Sequence, residues 1–231
     1  MKRLYREVGV RSEDAGFVVS LDGRPVRTPA KAALVLPTAA LARAVADEWE
    51  AQGDEIDPHS MPMMRLGYTA IDMVRPRRAR VVEALAAYGE TELVCHRAPK
   101  PRELAARQEA AWAPLLDWLD ETYGVRLRLT AGIAPMTQDR SALERLRDVV
   151  AGRDDWALTA LNAAVTAAGS VVIGLALADG RIGPAAAFDA SQIDETFQIE
   201  RWGEDVEAAA RRRGLAADLE AAARFHALSR S

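Results

Sequence analysis

The residues best placed to do chemistry are the carboxylates of AAAFDASQIDETFQIERWGEDVE, from Ala185 to Glu207. Glu195, Glu200 and Asp205 could supply a general acid and a general base, a pairing that needs two carboxyl groups in environments that push their proton affinities apart. Acids at such spacings are common on solvated helices, so a small-molecule hydrolase or transferase working through residues 194–207 is one reading and a binding surface is the other. Other chemistry is harder to assemble. His59, His96 and His226 are scattered along the chain and stand with a single cysteine, Cys95, so no zinc-binding spacing exists and no metal or cofactor is expected. Cys95 and His96 are adjacent, but successive side chains of a strand point to opposite faces, which parts a nucleophile from its base. GSVVIG, Gly169 to Gly174, has the glycine spacing of a phosphate loop, yet Leu175 and Ala176 follow where Lys and Ser or Thr are needed. With no GxSxG elbow either, no catalytic residue is assigned.

The element that positions the acids reads as one long helix over 185–207. At about 100° per residue, Phe188, Gln192, Ile199, Trp202 and Val206 fall on one side and Ile193 and Phe197 nearly opposite. Two apolar faces need two partners, one of them the core and the other a neighbouring helix or a second molecule. Glu195 lies in the first stripe and Glu200 in the second. A charge among apolar groups is costly unless a cation meets it, and that cation is either an Arg of the same chain or a group on a partner.

Composition narrows the partners. The 231 residues are 49% hydrophobic and 28% charged with a net charge of -4, as in an ordinary globular protein of one or two domains. Nucleic acid is not an expected partner, because neither Arg75-Pro76-Arg77-Arg78-Ala79-Arg80 nor Arg211-Arg212-Arg213 is interleaved with stacking aromatics; both read as solvated helix ends, with a phosphate-binding or acid-binding patch as the lesser alternative. One cysteine excludes an internal disulfide and suits a reducing compartment. MKRLYREVGV lacks the apolar core of a signal peptide, and Glu7, Glu13 and Asp14 come too early for a transit peptide, so a bacterial cytoplasmic location is expected. The uncharged run from Trp156 to Ala178 has the length of a membrane span. Its alanines, Asn162, the Gly169-Ser170 break and the flanking aspartates instead predict two buried helices and no membrane insertion.

In chain order, Tyr5 to Pro37 alternates like an antiparallel meander, with Asp14-Ala15-Gly16 and Asp22-Gly23 as turns. Thr38 then caps a helix whose stripe is Leu41, Val45 and Trp49, placed to cover the small sheet. MMRLGYTAIDMV is helical and should be interrupted at Arg75-Pro76, where the domain boundary falls. VVEALAAYG is a helix and LVCH a short apolar segment. A long helix over Pro101 to Tyr123 carries Leu104, Gln108, Trp112, Leu115 and Leu119 on one side; Trp112 and Trp118 read as core, and Pro114 should bend or break it. VRLRLT, Val125 to Thr130, reads as a lone strand, and SALERLRDVVAG as a helix with Ser141 as cap and Glu144 in the capping-box position. GLAADLEAAARFHALS closes the chain as an amphipathic helix. The fold class is α+β: a small β-rich domain with a covering helix over residues 1–75, then an all-α domain over 76–231.

Five pieces, in this order and spacing, carry a resemblance: LDGRPVRTPAKAALVLPT at Leu21 to Thr38, ALARAVADEWEAQGDEIDP with MPMMRLGYTAID, RQEAAWAPLLDW, GSVVIGLALADG, and DETFQIERWGEDVE. Together they resemble the family of assembly chaperones for the alpha subunit of F-type ATP synthase, over nearly the whole chain. The resemblance implies a β-rich domain followed by a helical one, and a protein without enzymatic activity. It implies binding to the unassembled alpha subunit, kept soluble until the beta subunit arrives. Glu200, Trp202, Gly203 and Asp205 match the family's C-terminal acidic motif, with Asp194 and Glu195 upstream. Asp194, Glu195, Glu200, Trp202 and Asp205 are therefore the implied client contacts. A monomer is expected, cytoplasmic here and in the mitochondrial matrix for eukaryotic relatives.

Overall fold

The computed structural model of the chain describes residues 2–132 and 136–230. The chain divides into two compact units, one made of Met1–Arg78, Asp154–Ala160 and Arg224–Ser231, the other of Ala79–Arg153 and Leu161–Ala223. The first unit thus takes in two short stretches far beyond the Arg75-Pro76 step.

In the first unit, β1 (Val8–Glu13) and β2 (Gly16–Leu21) form an antiparallel hairpin in which Val10 faces Val19 and Glu13 faces Gly16. A Cβ on Gly16, whose φ is +139°, would lie 2.5 Å from the Leu36 carbonyl oxygen, so this turn has room only for glycine. After the Asp22-Gly23 turn, both residues at positive φ, β3 (Arg24–Pro25) pairs with Leu21 and Ser20, and β4 (Val35–Leu36) with Phe17 and Val18. The meander is as expected, although PVRTP and ALVLP supply only these short pairings. Across the sheet lies α1 (Ala39–Glu50), which starts where the Thr38 hydroxyl accepts the Leu41 N–H at 3.1 Å. Its buried stripe includes Leu41, Val45 and Trp49, and the Tyr5 hydroxyl donates to the Trp49 carbonyl at 2.6 Å.

Glu48 on α1 caps a second helix, α2 (Pro62–Thr69), by accepting the Met63 and Met64 N–H groups at 2.7 and 2.8 Å. Burial pushes its carboxyl up, and those two bonds pull it down. The expected interruption at Arg75-Pro76 does not occur. The chain stays helical through a π turn, Ala70–Val74, and a 3-10 turn, Arg75–Arg77, into α3 (Arg78–Ala86). Changing the hydrogen-bond pattern on either side accommodates the donor that Pro76 lacks. Arg75 and Arg78 are not merely solvated: both pair with Asp155, at 3.2 and 3.0 Å.

The second unit contains β5 (His96–Arg97), α4 (Arg102–Tyr123), β6 (Thr130–Ala131), α5 (Arg140–Ala151), α6 (Asp155–Ala168), α7 (Val171–Ala178), α8 (Pro184–Ser191), α9 (Ile193–Trp202) and α10 (Val206–Leu228). The first residues of α6 and the last of α10 belong to the other unit. The centre is α7, buried from Val171 to Leu177 and packed on α4 and α8. Gly174 allows this: a Cβ there would sit 2.5 Å from Val165 Cγ2 and 3.2 Å from the Val165 amide nitrogen on α6. As expected, α6 and α7 are separate helices joined at Gly169-Ser170, and among the described residues no helix is long and apolar enough to cross a membrane.

The N-terminus of α7 is held by Glu92, which is wholly buried. Its carboxylate accepts the Ser170 hydroxyl and the Val171 N–H, the latter at 3.0 Å. Burial pushes this carboxyl up to about 7, against the opposing pull of the Ser170 hydroxyl and the backbone N–H groups.

Several local expectations are corrected. Of the bend or break expected at Pro114, the break does not occur: α4 is continuous across it, with Gln108, Trp112, Leu115 and Leu119 buried on both sides. Trp118 is only half-buried, set edge-on to Tyr123 at 5.8 Å. VRLRLT is not a strand except at Thr130, which pairs in parallel with His96. Arg128 needs no strand partner, since the Gln138 side chain binds its N–H at 2.7 Å and its carbonyl at 3.0 Å. Helix α5 starts at Arg140 rather than after Ser141, and Glu144 pairs with Arg140 at 2.8 Å instead of closing a capping box.

Candidate functional site

The stretch read as one helix over 185–207 is three pieces. Helix α8 ends at Ser191, whose hydroxyl donates to the Phe188 carbonyl at 2.8 Å, and Gln192 leaves the helical region with ψ 19°. A side chain bonding back to the preceding turn competes with the helix ladder, a signal too weak to read from sequence. Helix α9 ends at Gly203, with φ +85°, a conformation that glycine adopts without strain. Asp205 then starts α10 by accepting the Ala208 N–H at 2.8 Å.

This break redistributes the two apolar faces. Phe197 is buried, with the Arg201 guanidinium 3.9 Å and that of Arg107 5.3 Å from its ring centre. Phe188 is half-buried beneath Arg212, at 5.1 Å. Trp202 and Val206 are instead 77% and 83% exposed, so the core does not use them. Arg212 is no free helix end: it pairs with Glu204 at 3.2 Å and donates to Thr196 at 3.1 Å.

The five expected contact residues lie on α9 and the turn that follows it. Asp194, half-buried in the first turn, accepts the Gln108 amide at 2.6 Å. The cation that Glu200 was expected to require is Arg107 of the same unit, at 2.8 Å, and Arg107 also holds Glu103 at 2.9 Å. Arg201 closes the cluster on Glu103 at 3.1 Å. Glu195 is half-buried and makes no ion pair among the described residues. Asp194 and Glu200 therefore meet adjacent residues of α4, whereas Trp202 and Asp205 flank the Gly203 turn. Asp194, Glu200 and Asp205 are each engaged by a different group, Gln108, Arg107 and the Ala208 N–H, and no hydrogen bond couples any two of these carboxylates among the described residues.

The sequence reading missed a cleft of about 400 Å³ between α4, α8 and α9. Its walls include Ala111 and Leu115 of α4, Ala186 and Ala190 of α8, and Ile193 and Thr196 of α9, with Arg107 and Asp189 among the lining. Elsewhere, Cys95 is buried and its thiol is pushed up to about 12, chiefly by desolvation, while His96 is exposed. The pair thus has neither the geometry nor the acidity of a nucleophile and its base. Among the described residues no group of three or more His, Cys, Asp or Glu could hold a metal ion.

Known proteins resemble this one along its whole length. The chain is similar to Atp12 from Paracoccus denitrificans, with 43% identity, a TM-score of 0.95 and coverage of 99% of this chain and 98% of that one. A protein of Agrobacterium tumefaciens superposes with a TM-score of 0.91 at 37% identity, over 98% of this chain and 85% of its own. The mitochondrial protein atp12 of Schizosaccharomyces pombe is 22% identical over 214 residues, 87% of this chain and 74% of its own. A family model described as ATP12 chaperone protein matches residues 2–120. With that match and a relative of such identity and coverage, the chain belongs to the ATP12 chaperone family.

Proposed function

We propose that this protein is an assembly chaperone of F-type ATP synthase that binds the unassembled alpha subunit and keeps it soluble until the beta subunit pairs with it. It acts as a monomer in a bacterial cytoplasm, without a cofactor. The client contact lies in the helical part, residues 76–231, beyond the β-rich residues 1–75. The observation that carries the reading is Trp202, 77% exposed beside the exposed Val206 and flanked by Glu200 and Asp205. A large aromatic ring with charged neighbours and no role in the core is the usual anchor of a protein interface. Asp194 and Glu195 extend the same surface. A chaperone has no turnover to support, and the hydrolase or transferase reading has no carboxylate couple to work with.

The surface is testable at Glu200 and Trp202, whose side chains are exposed. Glu200→Lys breaks one exposed ion pair and should leave Tm nearly unchanged, while weakening alpha-subunit binding by about 2 kcal/mol or more through a reversed contact charge. Trp202→Ala should likewise leave Tm in place and weaken binding. Melting curves and titration calorimetry with isolated alpha subunit separate the two effects. Variants that melt normally and bind at full strength would remove these residues from the contact.

A further inference from the structure

The cleft between α4, α8 and α9 adjoins the proposed client surface without being explained by it. It is open because small side chains stand where helices otherwise interlock: Ala111 on α4, Ala186 and Ala190 on α8. Leu115 and Ala190 are buried, whereas Ile193 is half-buried and Ala186 exposed, so apolar surface remains accessible within it. A volume of about 400 Å³ is that of a small-ligand pocket and admits a large apolar side chain with room beside it, but not a whole helix. Ile193, Thr196 and Glu200, spaced by three and four residues, share one face of α9 and join the cleft to the Glu200–Arg107 pair.

The polar lining selects the charge of the occupant. Arg107 is already held by Glu103 and Glu200, and the Thr196 hydroxyl already accepts from Arg212. Asp189 is exposed, and its carboxylate makes no hydrogen bond or ion pair among the described residues. The wall therefore offers an apolar seat with one available carboxylate beside it. We propose that this cleft receives a large apolar side chain of the client, carried on a segment with a Lys or Arg next to it that pairs with Asp189. The proposal rests on the client reading above and adds the chemistry of the bound segment.

The test uses the whole protein, isolated alpha subunit, and overlapping labelled peptides that tile the alpha-subunit sequence. Ala186→Trp fills the cleft from an exposed helix position, and Asp189→Lys reverses the available charge; both should melt like the unmodified protein. Each should weaken alpha-subunit binding by about tenfold or more, as expected for the loss of an interface anchor. By fluorescence anisotropy, the peptides that bind should carry a large apolar residue beside Lys or Arg, and they should lose binding to Ala186→Trp. If the unmodified protein binds the alpha subunit and Ala186→Trp binds it equally well, the cleft is not the seat, and the client reading stands. If the peptides that bind are flanked by acids, the charge assignment is overturned. If the unmodified protein does not bind the alpha subunit at all, the client reading falls and this proposal with it.

Discussion

Glu92→Ala is expected to destabilise the helical unit by about 3 kcal/mol or more, since it leaves the Ser170 hydroxyl and the Val171 N–H buried without an acceptor, each at a cost of about 1–3 kcal/mol. The effect should be large because Glu92 is wholly buried and α7, whose end it caps, is the centre of its unit. Its ionisation gives a second signature. The folded value of about 7 lies above the ordinary 4.5, so between these values the native state keeps a proton that the unfolded state has released. The stabilising contribution of this group is complete below the ordinary value and is lost as pH rises through the folded one, a span of about 3 kcal/mol. Glu92→Gln is neutral throughout and should lack this dependence. Urea unfolding from about pH 5 to about pH 8 should therefore show the unmodified protein losing stability relative to Glu92→Gln. A constant difference between the two over that range would show that Glu92 is ionised in the fold at every pH.

Trp112→Ala should cost about 3–5 kcal/mol, the range for truncating a buried aromatic ring. The indole is 1% exposed, its N–H donates to the Ala190 carbonyl at 2.8 Å, and the Arg97 guanidinium lies 5.0 Å from its ring centre. Truncation would open a cavity between α4 and α8, free the Ala190 carbonyl and remove the ring under a guanidinium that is itself largely buried. Trp112→Phe should lose much less, about 1 kcal/mol for the hydrogen bond together with some packing. Denaturant midpoints of the two variants measure this. Equal midpoints would mean that the ring does not tie α8 to α4.

The parts legible in sequence are those that local pattern determines. The alternation of β1 and β2, the Asp22-Gly23 turn, the Thr38 cap and the Leu41, Val45, Trp49 stripe each depend on residues within a few positions, and each appears as read. Trp112 sat on the buried face of α4 for the same reason. What was not legible depends on partners distant in the chain. Glu92 looks like any exposed acid until Ser170, 78 residues on, is brought to it. Glu200 could be seen to need a cation, but nothing local says that Arg107, 93 residues away, supplies it. The 185–207 stretch kept its helical period across Gln192 and Gly203, so the pattern ran through breaks that a back-bonding Ser191 and a positive φ impose. That same error put Trp202 mid-helix on an apolar stripe, whereas it is the exposed last residue of α9. The cleft was invisible because it exists where Ala111, Ala186 and Ala190 fail to fill space, and absence of volume leaves no periodic trace.

The most direct measurement of the client reading is a solubility assay on the alpha subunit itself. Isolated alpha subunit of F-type ATP synthase, diluted out of denaturant, should remain in the supernatant when this protein is present and precipitate when it is replaced by an inert carrier protein. Added beta subunit should then transfer the alpha subunit out of the complex. An alpha subunit that precipitates to the same extent with and without this protein would contradict the account.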